Sequence, residues 1–387
     1  MRVYLDNNST TPIDLRVAAA MEPYIREVFG NPSNIHSFGR ECSEGMAVAR
    51  EQVAAFLGAS PDEIFFTGGG SESDNWAVKG TAHARADRGK HVICSSIEHS
   101  AVLESCRYLE SLGFRATFLP VDRYGLVDPE DVKRSLTRET ALVSVMLANN
   151  EIGTIEPVAE IARICREAGV TSHTDAVAAA GKMRVDVNEL GVDLLTISGH
   201  KLQGPKGVGA LYIRKGVTIH PLVHGGHQER GLRGGTENVI GIAGLGRACE
   251  ILRAEWQENA EHERRLRDRL EQAIVARVPE ILLDGHPTRR VPNVCHLSVG
   301  YVEGEALLMN LDMEGIAVAS GSACSTGSAE PTPTIKAIGV PPLFANSPVR
   351  MSLGPGTTEA EIDYTIEVFE RVVARLRSIS PIWKKRG

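Results

Sequence analysis

Lys201, in SGHKLQGPKGVG, follows the β-branched run 192–198, and Asp175, in SHTDA, closes the run 170–176; both runs read as buried strands. Side chains there project from the carboxyl edge of one sheet, where ligands of parallel sheets bind. A lysine so placed can form an imine with an aldehyde cofactor, and a nearby carboxylate can keep a pyridine nitrogen protonated as an electron sink. A lone lysine in a Gly-rich turn is more often solvated or bound to phosphate, so the pairing carries the reading. The turn TGGGSES (67–73) adds Gly70 and Ser71. Its glycines allow close backbone approach, and Ser71 with Asp74 resembles a capping box opening the following helix. Free N–H groups and the helix dipole there favour a phosphate. Ser198 and His200, flanking Lys201, are placed to bind the same phosphate. The cofactor that meets all these demands is pyridoxal 5'-phosphate.

Four further residues fit that chemistry. His99, in SSIEHSAV, falls beyond a strand end, where an imidazole can stack on a planar ring and move protons near neutrality; the plainer reading is a helix cap. Asn150, in ANNEIG, can donate to a ring oxygen, or serve as turn chemistry. Arg350 interrupts the apolar strand PVRMSLG, where a guanidinium needs a partner: a substrate α-carboxylate or an internal acid. Cys324 lies in ASGSACSTGSAEPTP, a run of small and polar residues expected to be mobile, which suits a nucleophile that travels. Cys42, Cys94, Cys106, Cys165, Cys249 and Cys295 fall in helical or strand patterns and read as packing thiols. His220, His224 and His227 have metal-like spacing but no suitable carboxylate or cysteine nearby, so no metal is expected.

Positioning these groups requires alternating elements. Helix 44–57, strand 91–96, helix 100–112, strand 141–148, helix 157–168 and strands 170–176 and 192–198 predict a mostly parallel sheet covered on both faces. A charged helix over about 250–278 leads to strand 293–299, helix 304–314, strands 316–321 and 348–354 and helix 358–378, an α+β pattern. The expected division is a large α/β domain at 15–255 and a small α+β domain from 1–14 and 256–387. The 387 residues are 42% hydrophobic and 24% charged, ordinary for a globular chain. Lys and Arg number 42 against 49 Asp and Glu, a net charge of −7 that offers no attraction to nucleic acid. No apolar stretch is long enough to span a membrane, and the N-terminus does not read as a signal peptide; with scattered, unpaired cysteines, the cytoplasm is expected.

Together these motifs resemble the NifS/IscS-type cysteine desulfurases of the class V aminotransferase group, over nearly the whole chain. The resemblance runs from YLDNNSTTP and FGNPSNIHSFGR through FTGGGSESDN, EHSAV, ANNEIGT and HTDA to SGHKLQGPKGVGALY and GGHQERGLRGGTEN. It continues through YVEGEAL, SGSACS, RMSLG and TTEAEIDYTI. It implies the fold type I architecture of pyridoxal-phosphate enzymes, an α/β fold with a seven-stranded-type sheet and a smaller α+β C-terminal domain, in a homodimer. The implied reaction converts L-cysteine to L-alanine and leaves a persulfide on Cys324, which then supplies an iron–sulfur scaffold or another acceptor protein. By the same resemblance Lys201 is the Schiff-base lysine, Asp175 the partner of the ring nitrogen, His99 the stacking and proton-transfer residue and Asn150 a ligand on the ring-hydroxyl side. Gly70, Ser71, Ser198 and His200 form the phosphate cup, joined by Thr236 from the other subunit. Arg350 and Asn34 bind substrate. Cys324 is also the residue that would transiently ligate an iron–sulfur cluster. Ala178 departs from the pattern, standing where the family usually has a glutamine that bonds the ring oxygen. Readings left open are a selenocysteine lyase, another fold type I enzyme such as a small aminotransferase, and a weakly active partner protein that retains the cofactor.

Overall fold

The computed structural model describes residues 1–321 and 330–384. In chain order the strands are β1 (Val3–Tyr4), β2 (Ile64–Thr67), β3 (His91–Ser95), β4 (Arg115–Leu119), β5 (Thr140–Ser144), β6 (Thr171–Asp175), β7 (Leu194–Ser198), β8 (Gly209–Ile213), β9 (Ile281–Leu283), β10 (Val294–Val299), β11 (Ile316–Ala317) and β12 (Pro348–Ser352). The fold is α/β of fold type I, built on a seven-stranded sheet of order β2-β8-β7-β6-β5-β3-β4. Only β8 runs against its neighbours there, pairing antiparallel with both β2 and β7.

Alternation along these strands divides the hydrophobic core. Phe66, Leu195, Ile197 and Tyr212 face one side, packed with Val53 and Leu57 of helix Ser37–Leu57 and Leu245 and Ala248 of helix Val239–Arg277. Their neighbours Phe65, Leu194 and Leu211 face the other side, packed with Trp76, Val102 and Cys106. Such two-sided burial is why β3, β5 and β7 read as largely continuous apolar runs rather than alternating ones. A second sheet, β12-β10-β9, is antiparallel; Cys295, Leu297, Val349 and Met351 turn one face of it into another core with Ile362, Phe369 and Val373. β1 pairs in parallel with β11, joining the N-terminus to the C-terminal part of the chain. Among the described residues no helix is long and apolar enough to cross a membrane.

Two helices begin earlier than their sequence pattern suggests, for one reason. The helix expected from about 250 spans Val239–Arg277, 39 residues. Its first turns carry Gly244 and Gly246, which read as breakers. A Cβ on Gly246 would meet Ala49 Cα at 2.6 Å, and one on Gly244 would meet Pro205 Cγ at 2.8 Å. The glycines mark close approach between elements, not an interruption. Helix Ser37–Leu57 likewise starts before residue 44, capped by His36 Nδ1, which accepts from Gly39 N at 3.2 Å. Val239–Arg277 then serves both cores: Leu245 and Leu252 pack under the large sheet, Leu266, Leu270 and Ile274 under the small one.

Candidate active site

The ends of β6 and β7, the turn after β2 and the N-terminal segment enclose a cavity of about 540 Å3. Gly70, Ser71, His99, Asn150, Asp175, Ser198, His200, Lys201 and Arg350 all line it. β6 and β7 are adjacent and parallel, so Asp175 and Lys201 emerge side by side at one sheet edge. Lys201 Nζ donates to the carbonyls of Asn8 and, at 2.8 Å, Ser9. Those backbone acceptors come from the YLDNNSTTP segment, and no side-chain pattern could have announced them.

The turn after β2 is open where an anion would sit. The helix there begins at Gly70 with Gly69 at its cap position, at φ +148° and without a side-chain cap bond. The expected capping box is therefore absent. Ser71 is already inside the helix and Asp74 points inward, buried to 1% exposure. Glu72 instead reaches back to accept from Gly68 N at 2.8 Å and pairs with Arg233 at 2.9 Å. The first N–H groups of the helix are left for a ligand. A Cβ at Gly70 would come within 3.0 Å of Val177 Cγ2, so the close backbone approach needs glycine here. His200 lies on the same wall, its Nδ1 3.2 Å from Thr10 Oγ1. Burial, with Lys201 and Lys206 adding to it, pulls His200 down to about 4. It is neutral at physiological pH and can offer a hydrogen bond without opposing the nearby cations.

Asp175 is a buried carboxylate in the cavity wall. Burial raises its pKa, against the downward pull of His99, the Val177 N–H at 2.8 Å and Lys201. A buried carboxylate of this kind wants a cationic partner, and a protonated pyridine nitrogen is one. Beneath it Asp74 is pushed well above the carboxylate range, by burial first and then by Asp175. One Asp74 oxygen has no hydrogen-bond partner among the described residues. His173, 3.8 Å from Asp74, is held down at about 3 by burial, so the contact is not an ion pair at neutral pH. Asp74 was missed because S-x-x-D before a helix reads as a cap. The donor set of amine, buried carboxylate, imidazole and uncapped helix N-terminus fits pyridoxal phosphate.

His99 is a helix cap that also lines the cavity. At the start of helix Ser100–Ser111 its Nδ1 accepts from Ala101 N at 3.2 Å. That bond leaves the ring hydrogen on Nε2 in the neutral form. Arg350 is 1% exposed and donates to Asp6 Oδ1 at 2.8 Å, Ser9 Oγ at 2.7 Å and the Asn150 carbonyl at 3.0 Å. It thus has the internal partner its strand position demanded and still faces the cavity. Ala178 lines the cavity too.

Asn34 and Thr236 are not brought to this wall. Asn34 is exposed, and Thr236 lines a separate cavity of about 100 Å3 that shares Gly68 and Gly207 with the large one. Cys324 lies outside the described residues. Cys42, Cys94, Cys106, Cys165, Cys249 and Cys295 are buried and free, and burial drives Cys165 up to about 12. Among the described residues no cluster of His, Cys, Asp and Glu suits a metal.

Comparison with known proteins converges on one family. The family model described as Aminotransferase class-V matches residues 3–365. The cysteine desulfurase IscS of Dictyoglomus turgidum is 51% identical over 385 residues, covering 99% of this chain and 98% of that protein. The protein of the same name from Methanosarcina thermophila is 49% identical over 383 residues, covering 99% and 95%. A solved NifS-like protein superposes with a TM-score of 0.91 at 41% identity, covering 97% of this chain and all of that one. A structure titled SspA in complex with cysteine superposes at 0.80 with 34% identity, covering 92% of this chain.

Proposed function

The chain belongs to the aminotransferase class-V family, and we infer that it is a pyridoxal-phosphate-dependent cysteine desulfurase, releasing L-alanine from L-cysteine. The observation that carries this reading is the pairing of Lys201 with buried Asp175 in one cavity that Arg350 also lines. When bound, pyridoxal phosphate supplies an aldehyde for covalent attachment and a conjugated ring that accepts an electron pair from the substrate.

The chain's own residues do the rest. The uncapped N–H groups after Gly69, with Ser71, Ser198 and neutral His200, hold the phosphate, and Asp175 offers its carboxylate to the ring nitrogen. Asn150 and His99 flank the ring, and His99, with Nε2 free to exchange, carries protons at its face. Lys201 would anchor the cofactor and, as a free neutral amine, move the substrate α-proton, its Nζ guided by the backbone carbonyls of Asn8 and Ser9 to which it donates. Arg350 binds the substrate carboxylate in exchange for its present partners, with Asn34 contributing to the substrate side.

Sulfur leaves through Cys324. Its thiolate forms an S–S bond to the substrate sulfur while the Cβ–S bond breaks, the electron pair staying on carbon, which is protonated to give alanine. The buried thiols are poor rivals, since burial suppresses thiolate formation. We further propose a homodimer in which Thr236 reaches the partner's phosphate site, a cytoplasmic location, and delivery of the persulfide sulfur to an iron–sulfur scaffold protein, with Cys324 itself a transient cluster ligand. Within the chain, residues 15–255 and the remainder form the large and small domains.

The test is direct. The protein should form equimolar alanine and sulfide from L-cysteine in the presence of a reductant, and borohydride should fix the cofactor on Lys201. Lys201→Ala should abolish both. Fixation on Lys206, which lines the same cavity, would overturn the lysine assignment.

A further inference from the structure

His296 and Arg350 are directly paired residues of β10 and β12, so their side chains leave the same face of the small sheet with Cβ atoms about 5 Å apart. The other face carries the apolar core of Cys295, Leu297, Val349 and Met351. Both residues are 1% exposed. Each has one buried nitrogen, His296 Nε2 and Arg350 Nε, with no hydrogen-bond partner among the described residues.

The second nitrogen of His296 decides what the first can do. Nδ1 lies 2.9 Å from Asp284 Oδ2, which also accepts from Ser298 Oγ at 2.6 Å. A carboxylate only accepts, so Nδ1 carries the hydrogen, and in that tautomer Nε2 is a bare acceptor. Arg350 Nε is an obligate donor. A bare acceptor and an obligate donor, both buried and rooted at one cross-strand pair, are complementary. Leaving both unmet costs each its full desolvation penalty.

We propose that Asp284 and His296 form a positioning dyad for Arg350. Asp284 fixes the tautomer of His296. His296 Nε2 then accepts from Arg350 Nε when the guanidinium exchanges Asp6 and the Asn150 carbonyl for a substrate carboxylate, leaving its two terminal nitrogens to bind that carboxylate end-on. The dyad rests on the reading of Arg350 as the carboxylate-binding residue, and it makes the small sheet a determinant of selectivity for α-carboxylate substrates.

Asp284→Asn tests it in the holoenzyme. A carboxamide that donates to Nδ1 moves the ring hydrogen to Nε2, where it faces the Arg350 donor. KM for L-cysteine should rise about tenfold with kcat changed less than about twofold, the signature of lost uniform binding. His296→Leu should do the same, whereas His296→Gln, which keeps an acceptor on the Arg350 side, should restore KM to within about threefold of the parent. Binding of cysteamine, which has no carboxylate, followed by cofactor absorbance, should be unaltered in Asp284→Asn. Equal losses with cysteine and cysteamine, or an unchanged KM for cysteine, would overturn the dyad. Arg350→Gln separates the two readings: a KM unchanged there removes the assignment of Arg350 itself, while a raised KM with Asp284→Asn silent removes the dyad alone.

Discussion

At the scale of single residues, the site is a set of groups made reactive by what surrounds them. Asp175 is useful because burial leaves it short of positive charge, and His200 because burial keeps it neutral among lysines. Ala178 is a place where that set is incomplete. It lines the cavity, and a glutamine there would add a donor to the cofactor's anionic ring oxygen. Ala178→Gln should therefore tighten cofactor binding by about tenfold, the worth of one charge-assisted hydrogen bond. Cofactor dissociation measured in variant and parent checks this; identical values would show that position 178 does not reach the ring. Turnover need not follow, since a donor that serves ground and transition states equally leaves kcat alone. Most cavity residues were legible in the sequence because strand ends are: Lys201 and His99 follow apolar runs, and Asp175 closes the β-branched run of β6. What was not legible is contact through the backbone and inward burial. The carbonyls that hold Lys201 belong to residues whose side chains say nothing of it, and Asp74 looks like a cap until its solvent exposure is known.

At the scale of elements, the sequence pattern located the central parallel strands well and misjudged the helix starts. Continuous apolar runs mark β3, β5 and β7, which are buried on both faces; β6, TSHTD, is just as buried but polar, and only its β-branched threonines announce it. The pattern missed β2, the parallel edge strand β4 and β8, whose antiparallel course between β2 and β7 has no signature in composition. The extra turns of Ser37–Leu57 and Val239–Arg277 were hidden by glycines that permit close packing. Elements are also tied by single buried groups. Glu156 bridges two loops: its N–H donates to the Leu147 carbonyl at 3.0 Å and its Oε2 accepts from Val127 N at 2.9 Å. Burial pushes it up to about 8, while its other oxygen has no partner among the described residues. A carboxyl whose folded pKa is raised supports stability below its unfolded value near 4.5, and that support is lost as pH rises through about 8. Glu156→Gln keeps an acceptor for Val127 and has nothing to ionise. The variant should match the parent near pH 4.5 and gain on it progressively, by on the order of 3 kcal/mol at pH 8. Urea unfolding at the two pH values measures this, and a constant difference between them would show that Glu156 does not titrate in that window.

At the scale of the whole molecule, the large cavity gathers most of the expected site residues, while Asn34 and Thr236 lie away from it. Thr236 opens onto the far side of the glycine turns, and the segment around Asn34 presents Phe29 at 73%, Ile35 at 91% and Phe38 at 51% exposure. Apolar side chains so close in sequence and so open are better explained by a second copy of the chain than by solvent. Sedimentation should give twice the 41.8 kDa chain mass. Phe29→Glu with Ile35→Glu should shift it toward the monomer and weaken cofactor retention, because Thr236 would no longer reach the partner's phosphate site. A monomeric parent with full cofactor content would refute the shared site. Whether the cofactor chemistry ends in sulfur transfer to one thiol is read out by a single turnover with sulfur-labelled L-cysteine, followed by alkylation and peptide mapping. One labelled persulfide is expected, on Cys324, formed together with alanine and lost along with sulfide release in Cys324→Ser, which should still bind cofactor and substrate. Alanine formed with no label on the protein, or label on any of the six buried cysteines, would contradict that expectation.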